Sequence, residues 1–120
     1  MIEVEFDKTM LTVVGHAGSA PVGEDLVCAA ASMLVGTLDA SLRRLCDAGE
    51  IPTAAVCMHT GYACISCRDT PTARAVFAVI LDGFQLLARK YPEYVTLKPE
   101  KPPLCNGPGH PLLPLWGNSP

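Results

Sequence analysis

The sequence predicts a small α+β domain, an α/β sandwich of ββαββα order with two helices packed on one face of a mainly antiparallel sheet. Three observations carry this. The chain opens on a period-two pattern, with Ile2, Val4 and Phe6 alternating with Glu3, Glu5 and Asp7. Two longer segments show helical spacing instead. The first carries Leu34, Leu38, Leu42 and Leu45, the second Val76, Phe77, Ile80, Phe84, Leu87 and Tyr91. Each follows a pair of short β-rich runs, so one strand-strand-helix unit occurs twice.

The elements follow in order. The first strand is half-buried by its alternation, and Asp7-Lys8-Thr9 turns the chain into a second strand over Met10 to Ala17. Gly18 to Gly23 holds two glycines and Pro21, which predicts a mobile loop. Asp25 is the expected N-cap of the first helix, Gly49 its stop, and Pro52 lies just beyond. Thr53 to His59 and Tyr62 to Arg68 form a strand pair around a tight Thr60-Gly61 turn. Thr70 caps the second helix, Pro71 occupies its first position and Pro92 ends it. Tyr94 to Lys98 suits a last short strand. From Pro99 to Pro120 the chain is rich in proline and interspersed with glycine, so it is expected to be an irregular or disordered tail. The division is therefore a domain over 1–98 and a tail over 99–120.

Composition narrows the function classes. The 120 residues are 49% apolar and 18% charged, which is globular and enough for one core. The net charge is −3 and no basic run occurs, so direct nucleic-acid binding is not expected. The N-terminus has neither the basic start nor the apolar centre of a signal peptide, and no stretch reads as long and apolar enough to span a bilayer. The expected location is the cytoplasm, with no membrane partner. Thiols stay reduced there, so the six cysteines read as free thiols rather than three bridges.

One segment carries chemistry. Gly15-His16-Ala17 is followed, after the glycine-rich loop, by Asp25-Leu26-Val27-Cys28 and then Ser32. With Asp25 as N-cap, Cys28 is the third helical residue, where unpaired N–H groups and the helix dipole favour a thiolate. His16 ends the preceding strand, and the loop is long enough to bring its imidazole to the thiol, which makes a Cys/His nucleophilic device. Backbone N–H groups at the helix start could serve an oxyanion. Ser32 lies one turn beyond Cys28 on the same helix face, and Asp25 could cap the helix, orient His16 or do both. Taken singly, a cysteine in an apolar helix is usually a small buried hydrophobe, and a histidine at a strand end is usually structural. Cys64-Ile65-Ser66-Cys67, with Cys57 and His59 upstream, resembles a zinc ligand set only if the chain bends. On a regular strand, residues three apart face opposite ways, so no metal is expected.

The run Gly15-His16-Ala17, Gly23, Asp25-Leu26-Val27-Cys28-Ala29-Ala30 and Ser32 resembles the signature of the Prp family, the bacterial ribosomal-processing cysteine proteases. The similarity continues through Gly61, Gly83-Phe84 and Tyr91-Pro92-Glu93-Tyr94-Val95, over about residues 1 to 98. The resemblance implies a catalytic pair of Cys28 and His16, with Asp25 and Ser32 supporting and no cofactor. It implies a substrate-access loop over Gly18 to Glu24, marked by Gly18, Pro21 and Gly23. Here Pro21 restricts that loop more than a glycine would. It implies a homodimer that removes a short N-terminal extension from a large-subunit ribosomal protein, cutting after an aromatic pair. The alternative from another class is a non-catalytic, ribosome-associated binding module of the same fold.

Overall fold

The computed structural model describes residues 1–15 and 22–98, and of residues 22–25 the backbone course alone. The tail over 99–120 lies outside the described residues. Strands β1 (Ile2–Asp7) and β2 (Met10–Gly15) lead into helix α1 (Val22–Asp47). Strands β3 (Ala54–His59) and β4 (Tyr62–Cys67) lead into α2 (Pro71–Lys90), and β5 (Val95–Lys98) closes the described chain. The five strands form one sheet in the order β3-β4-β2-β1-β5. Every neighbouring pair is antiparallel except β1 and β5, which run parallel. The α+β sandwich expected from the sequence is therefore the fold, with β5 added at an edge.

Local chemistry explains the boundaries. Thr70 has extended backbone angles, and its hydroxyl accepts from the Ala73 N–H at 3.1 Å, satisfying one donor that the first turn of α2 leaves unpaired. Pro71 follows at a position where no N–H is needed. At the end of α1, Gly49 takes φ +75°, its N–H bonds to the Cys46 carbonyl, and the Glu50 N–H bonds to the Leu45 carbonyl. That pair of bonds is a Schellman ending, which requires the left-handed residue that glycine supplies. Gly61, at φ +76°, serves the β3–β4 turn in the same way.

Register sorts the strand residues by face. Val4 opposes Val13, and Leu11 opposes Ile65. All four are buried, with Ile2 and Val95, beneath the helices. From α1 come Val27, Ala31, Val35, Leu38 and Leu42, and from α2 come Ala73, Phe77, Ile80, Leu81 and Phe84. The leucine stripe read from the sequence is shifted in part. Leu38 and Leu42 are core, whereas Leu34 and Leu45 pack at its margin. Leu34 closes on Gly83, where an added Cβ would lie 2.5 Å from the Leu34 Cδ2, so the glycine permits close helix packing. The other sheet face carries Glu3, Glu5, Thr12, Val14, Cys57, His59, Tyr62 and Cys64 in alternation with the core set. Its exposed members include Val14, Cys57, His59 and Tyr62.

Two expectations are corrected. The segments Leu26–Asp47 and Pro71–Lys90 are, by length and composition, apolar enough to cross a bilayer, contrary to the reading from the sequence. The charges of α1 sit at its start (Glu24, Asp25) and in its second half (Asp39 onward), and those of α2 are widely spaced, so long apolar stretches lie between them. Each helix turns a buried stripe onto the sheet, which is the use this fold makes of that apolarity. The helix start is also earlier than Asp25. Gly23 lowers helix propensity and made this turn look like loop, yet α1 already includes Val22, Gly23 and Glu24.

Truncation of the fully buried Phe77 to alanine is expected to lower unfolding stability by about 3–5 kcal/mol in a denaturant titration, because the void lies between α2 and the sheet.

Candidate active site

The site is built where β2 ends. Gly15 pairs with Ile2 across β1, and its N–H bonds to the Gly61 carbonyl at the tip of the β3–β4 hairpin at 3.0 Å. A Cβ at Gly15 would stand 2.8 Å from both the Ile2 Cγ1 and the Met1 carbonyl oxygen, and 2.9 Å from the Ile2 Cα. Two of those atoms are backbone, so no side chain fits without moving β1. Glycine is required here by close approach, since Gly15 is not among the residues with positive φ.

Beside Gly15 opens a cleft of about 220 Å³. Helix α1 supplies Cys28, Ala31, Ser32, Val35 and Gly36 to its wall. Ile2 and Val13 form its floor, and Met58, His59, Tyr62 and Ala63 of the hairpin close the other side. Cys28 is half-buried and packs against the core, while Ser32 is exposed one turn further on. The lining is mainly apolar with a few polar groups at the rim, the usual character of a peptide or small-molecule site.

The structure thus brings together Cys28, Ser32 and Gly15, the residue bonded to His16. His16, Gly18 and Pro21 lie outside the described residues. Gly23 and Asp25 lie within the α1 backbone, so the predicted loop over Gly18 to Glu24 is helical from Val22 onward. Asp25 is the fourth helical residue rather than the cap, and Cys28 is the seventh rather than the third. The amide of Cys28 is beyond the four unpaired donors of the first turn, and dipole stabilisation fades over that turn. A helical side chain leans back toward its N-terminus, so the thiol still faces the first turn, but a thiolate there draws less from the helix than an Asp25 cap implied.

The other cysteines separate by face. Cys57 and Cys64 oppose each other on the open face, where Cys57 Sγ lies 3.4 Å from His59 Nε2 and the Thr12 hydroxyl donates to Cys64 Sγ at 3.6 Å. Cys67 pairs with Ala54 on the helix-covered face. Burial, with smaller contributions from Cys46 and Asp69, pushes the Cys67 thiol up. Cys64 and Cys67 therefore diverge, and among the described residues no group of three or more His, Cys, Asp or Glu side chains is placed to hold a metal ion. The sequence reading missed the hairpin as a cleft wall. The Thr60-Gly61 turn was legible, but the seating of β4 beside β2 rather than at an edge is a long-range choice that periodicity does not encode.

Comparison with known proteins gives one consistent picture. The family model described as cysteine protease Prp matches residues 1–96. SMU.848 from Streptococcus mutans is 31% identical, with a TM-score of 0.67 over 82% of this chain and 92% of its own. A crystal structure of the ribosomal processing protease Prp from S. aureus in complex with a substrate peptide has a TM-score of 0.63 at 20% identity, covering 81% of this chain and 95% of that one. A second S. aureus Prp structure, with a covalently linked product peptide, has a TM-score of 0.59 at 22% identity, covering 80% and 94%. Among curated proteins, none matches this chain.

Replacing Gly15 with alanine is expected to lower stability by about 1–3 kcal/mol in urea unfolding, since Ile2 and the Met1 carbonyl must move. Alkylation at mildly alkaline pH is expected to modify exposed Cys57 before Cys67, whose half-buried thiol ionises later; mass mapping of a time course reads the order.

Proposed function

From the membership of this chain in the Prp family of cysteine proteases, we propose that it is an endopeptidase in which Cys28 is the nucleophile and His16 its base. The observation that carries this reading is the placement of the Cys28 thiol in a cleft whose wall includes Gly15, the residue bonded to His16. His16 takes the thiol proton as Cys28 Sγ attacks the scissile carbonyl. The same imidazole then protonates the departing amine, and water hydrolyses the thioester. Because α1 begins at Val22, the helix contributes less to thiolate formation and His16 more. Donors for the oxyanion come from the first turn of α1, over which the thiol leans, and Ser32 adds a hydroxyl at the rim. Asp25 supports His16 from that same turn, and the segment carrying Gly18 and Pro21 controls entry.

The proposed substrate is the N-terminal extension of a large-subunit ribosomal protein, removed after an aromatic pair. The apolar lining of Ile2, Val13, Ala31, Val35 and Met58 supports an aromatic occupant. S. aureus Prp has been seen with a substrate peptide and with a covalently linked product peptide, and a covalent link to product is what nucleophilic catalysis forms on its path. No cofactor, direct nucleic-acid contact or membrane contact enters this scheme, and the proposed location is the cytoplasm.

A homodimer is part of the proposal. The outer side of the helix layer is a shallow groove lined by Ala30, Met33, Leu34, Thr37, Gly83 and Leu86, and Met33 and Leu86 are 71% and 44% exposed. An apolar strip of that kind, continuous across two helices, suits burial against a second copy.

Incubation with the extended ribosomal protein, followed by mass analysis, tests the chemistry. The parent is expected to make one cut, Cys28→Ala to lose at least about a thousandfold in rate, and His16→Ala to lose about 10²–10⁴-fold. Full cleavage by Cys28→Ala would refute the assignment. An intact substrate with the folded parent would favour the non-catalytic binding module. Sedimentation of Met33→Glu is expected to show a monomer where the parent sediments as a dimer.

A further inference from the structure

We propose that Cys57 and Cys64 form an oxidisable dithiol on the open face of the sheet, which a hydroperoxide closes into a reversible cross-strand disulfide. The assignment does not rest on the peptidase reading. Cys57 is directly opposite Cys64 in the antiparallel β3–β4 register, so both side chains leave the same face. Residues opposed in this way have Cα atoms about 4.5–5.5 Å apart, inside the range that a disulfide spans. Cys57 is the exposed one among the five described cysteines, and none of the five is in a disulfide. An imidazole is in place beside it, with His59 Nε2 at 3.4 Å from Cys57 Sγ. That ring stacks on Tyr62, with centroids 6.4 Å apart, which holds it over the strand pair. The Tyr62 phenol is pushed up chiefly by its charge interaction and hydrogen bond with Cys64, with burial and Cys57 adding. The Thr12 hydroxyl, donating to Cys64 Sγ at 3.6 Å from the next strand, holds the second sulfur.

The chemistry proceeds in two balanced steps. His59 accepts the Cys57 proton, and the thiolate attacks the hydroperoxide. The S–O bond forms as the O–O bond breaks, and the alkoxide leaves with the proton held by His59, as an alcohol (or as water from hydrogen peroxide). Cys64 then attacks the Cys57 sulfenic sulfur. The S–S bond forms as the S–O bond breaks, and hydroxide leaves with the Cys64 proton as water. Two thiols and one hydroperoxide thus give one disulfide, one alcohol and one water. A small thiol reverses the link by exchange, being oxidised in turn. Strain favours that reversal. Directly opposed strand residues keep Cβ atoms about 4.5–5.5 Å apart, whereas a disulfide brings them to about 3.5–4.5 Å. Closing the bond therefore pulls β3 toward β4, and a strained, exposed bridge is readily reduced. Met58, His59 and Tyr62 sit within two residues of this dithiol and also line the Cys28 cleft, so the link tightens one wall of that cleft.

The test uses the full reduced chain and its Cys28→Ala variant, each treated with a small excess of hydrogen peroxide. Intact mass and a non-reducing digest cut after Tyr62, which separates Cys57 from Cys64, read the product. The expected result is a monomer lighter by two hydrogens, with Cys57 joined to Cys64, formed at equal rates in both proteins and reversed by dithiothreitol. Cys64→Ser is expected to stop at a Cys57 sulfenic acid that dimedone captures, and His59→Gln to slow the link by about tenfold. A link joining Cys46 to Cys67 overturns the proposal. So does a first sulfenic acid at any cysteine other than Cys57 in the Cys28→Ala protein, or an unaltered rate in His59→Gln.

Discussion

The two-sided pairing of β2 is the constraint on which the rest of this molecule depends. β2 is the middle strand of the five, bonded to β1 on one side and β4 on the other, and both pairings run nearly its full length. Its inward residues Leu11 and Val13 are buried beneath both helices, so a slip of one residue would turn them to the open face and expose the core. The same strand ends at Gly15, held between Ile2 and the Gly61 carbonyl with no room for a side chain. Packing of the sheet centre and placement of the site are thus one problem. The cleft stands where the strand that organises the sheet runs out.

Much of this was legible in the sequence, for identifiable reasons. The alternation of Ile2, Val4 and Phe6, the Thr70-Pro71 start, the Gly49 ending and the Gly61 turn are local, and local chemistry decided them in the structure as well. The start of α1 was misplaced because Gly23 reads as loop, whereas the helix continues back to Val22. The spanning potential of both helices is hidden in the sequence because each carries several charges, yet long apolar stretches lie between them. The strand order was not legible at all. Nothing in the β3 and β4 segments states that β4 inserts beside β2, and that insertion is what carries Met58, His59 and Tyr62 to the cleft. Cys28 could be singled out because thiol, glycine-rich loop and histidine are close in sequence. The hairpin wall could not, because it is assembled from distant segments.

The helices divide their surfaces between two tasks. Their inner stripes complete the core, and their outer strip stays apolar along Met33 and Leu86. The close approach of Leu34 to Gly83 draws α1 and α2 together, so the outer strip forms one continuous surface rather than two separate ridges. The opposite face of the molecule differs in kind. There the strands present polar, aromatic and thiol groups in cross-strand rows, such as Cys57, Cys64, Thr12 and Glu5. The two exteriors are chemically unlike, which suits contact with different things.

The parallel pairing of β1 with β5 has a consequence for the order in which the molecule can be made. Ile2 is registered with Val95, so β1, which is made before the rest of the domain, keeps one edge unpaired until nearly the whole domain has followed. Helix α2 must also form first, since it carries the chain across the sheet from β4 to β5. During synthesis the β1–β2 hairpin is a nascent piece with an apolar face and no cover, the kind of intermediate that slow, long-range strand pairing creates. The cleft is affected in the same way, because its hairpin wall and the floor contributed by Ile2 join only when residues far apart in time meet. A partly emerged chain therefore lacks the assembled pocket, and any activity housed there begins only after the β3–β4 hairpin has joined β2.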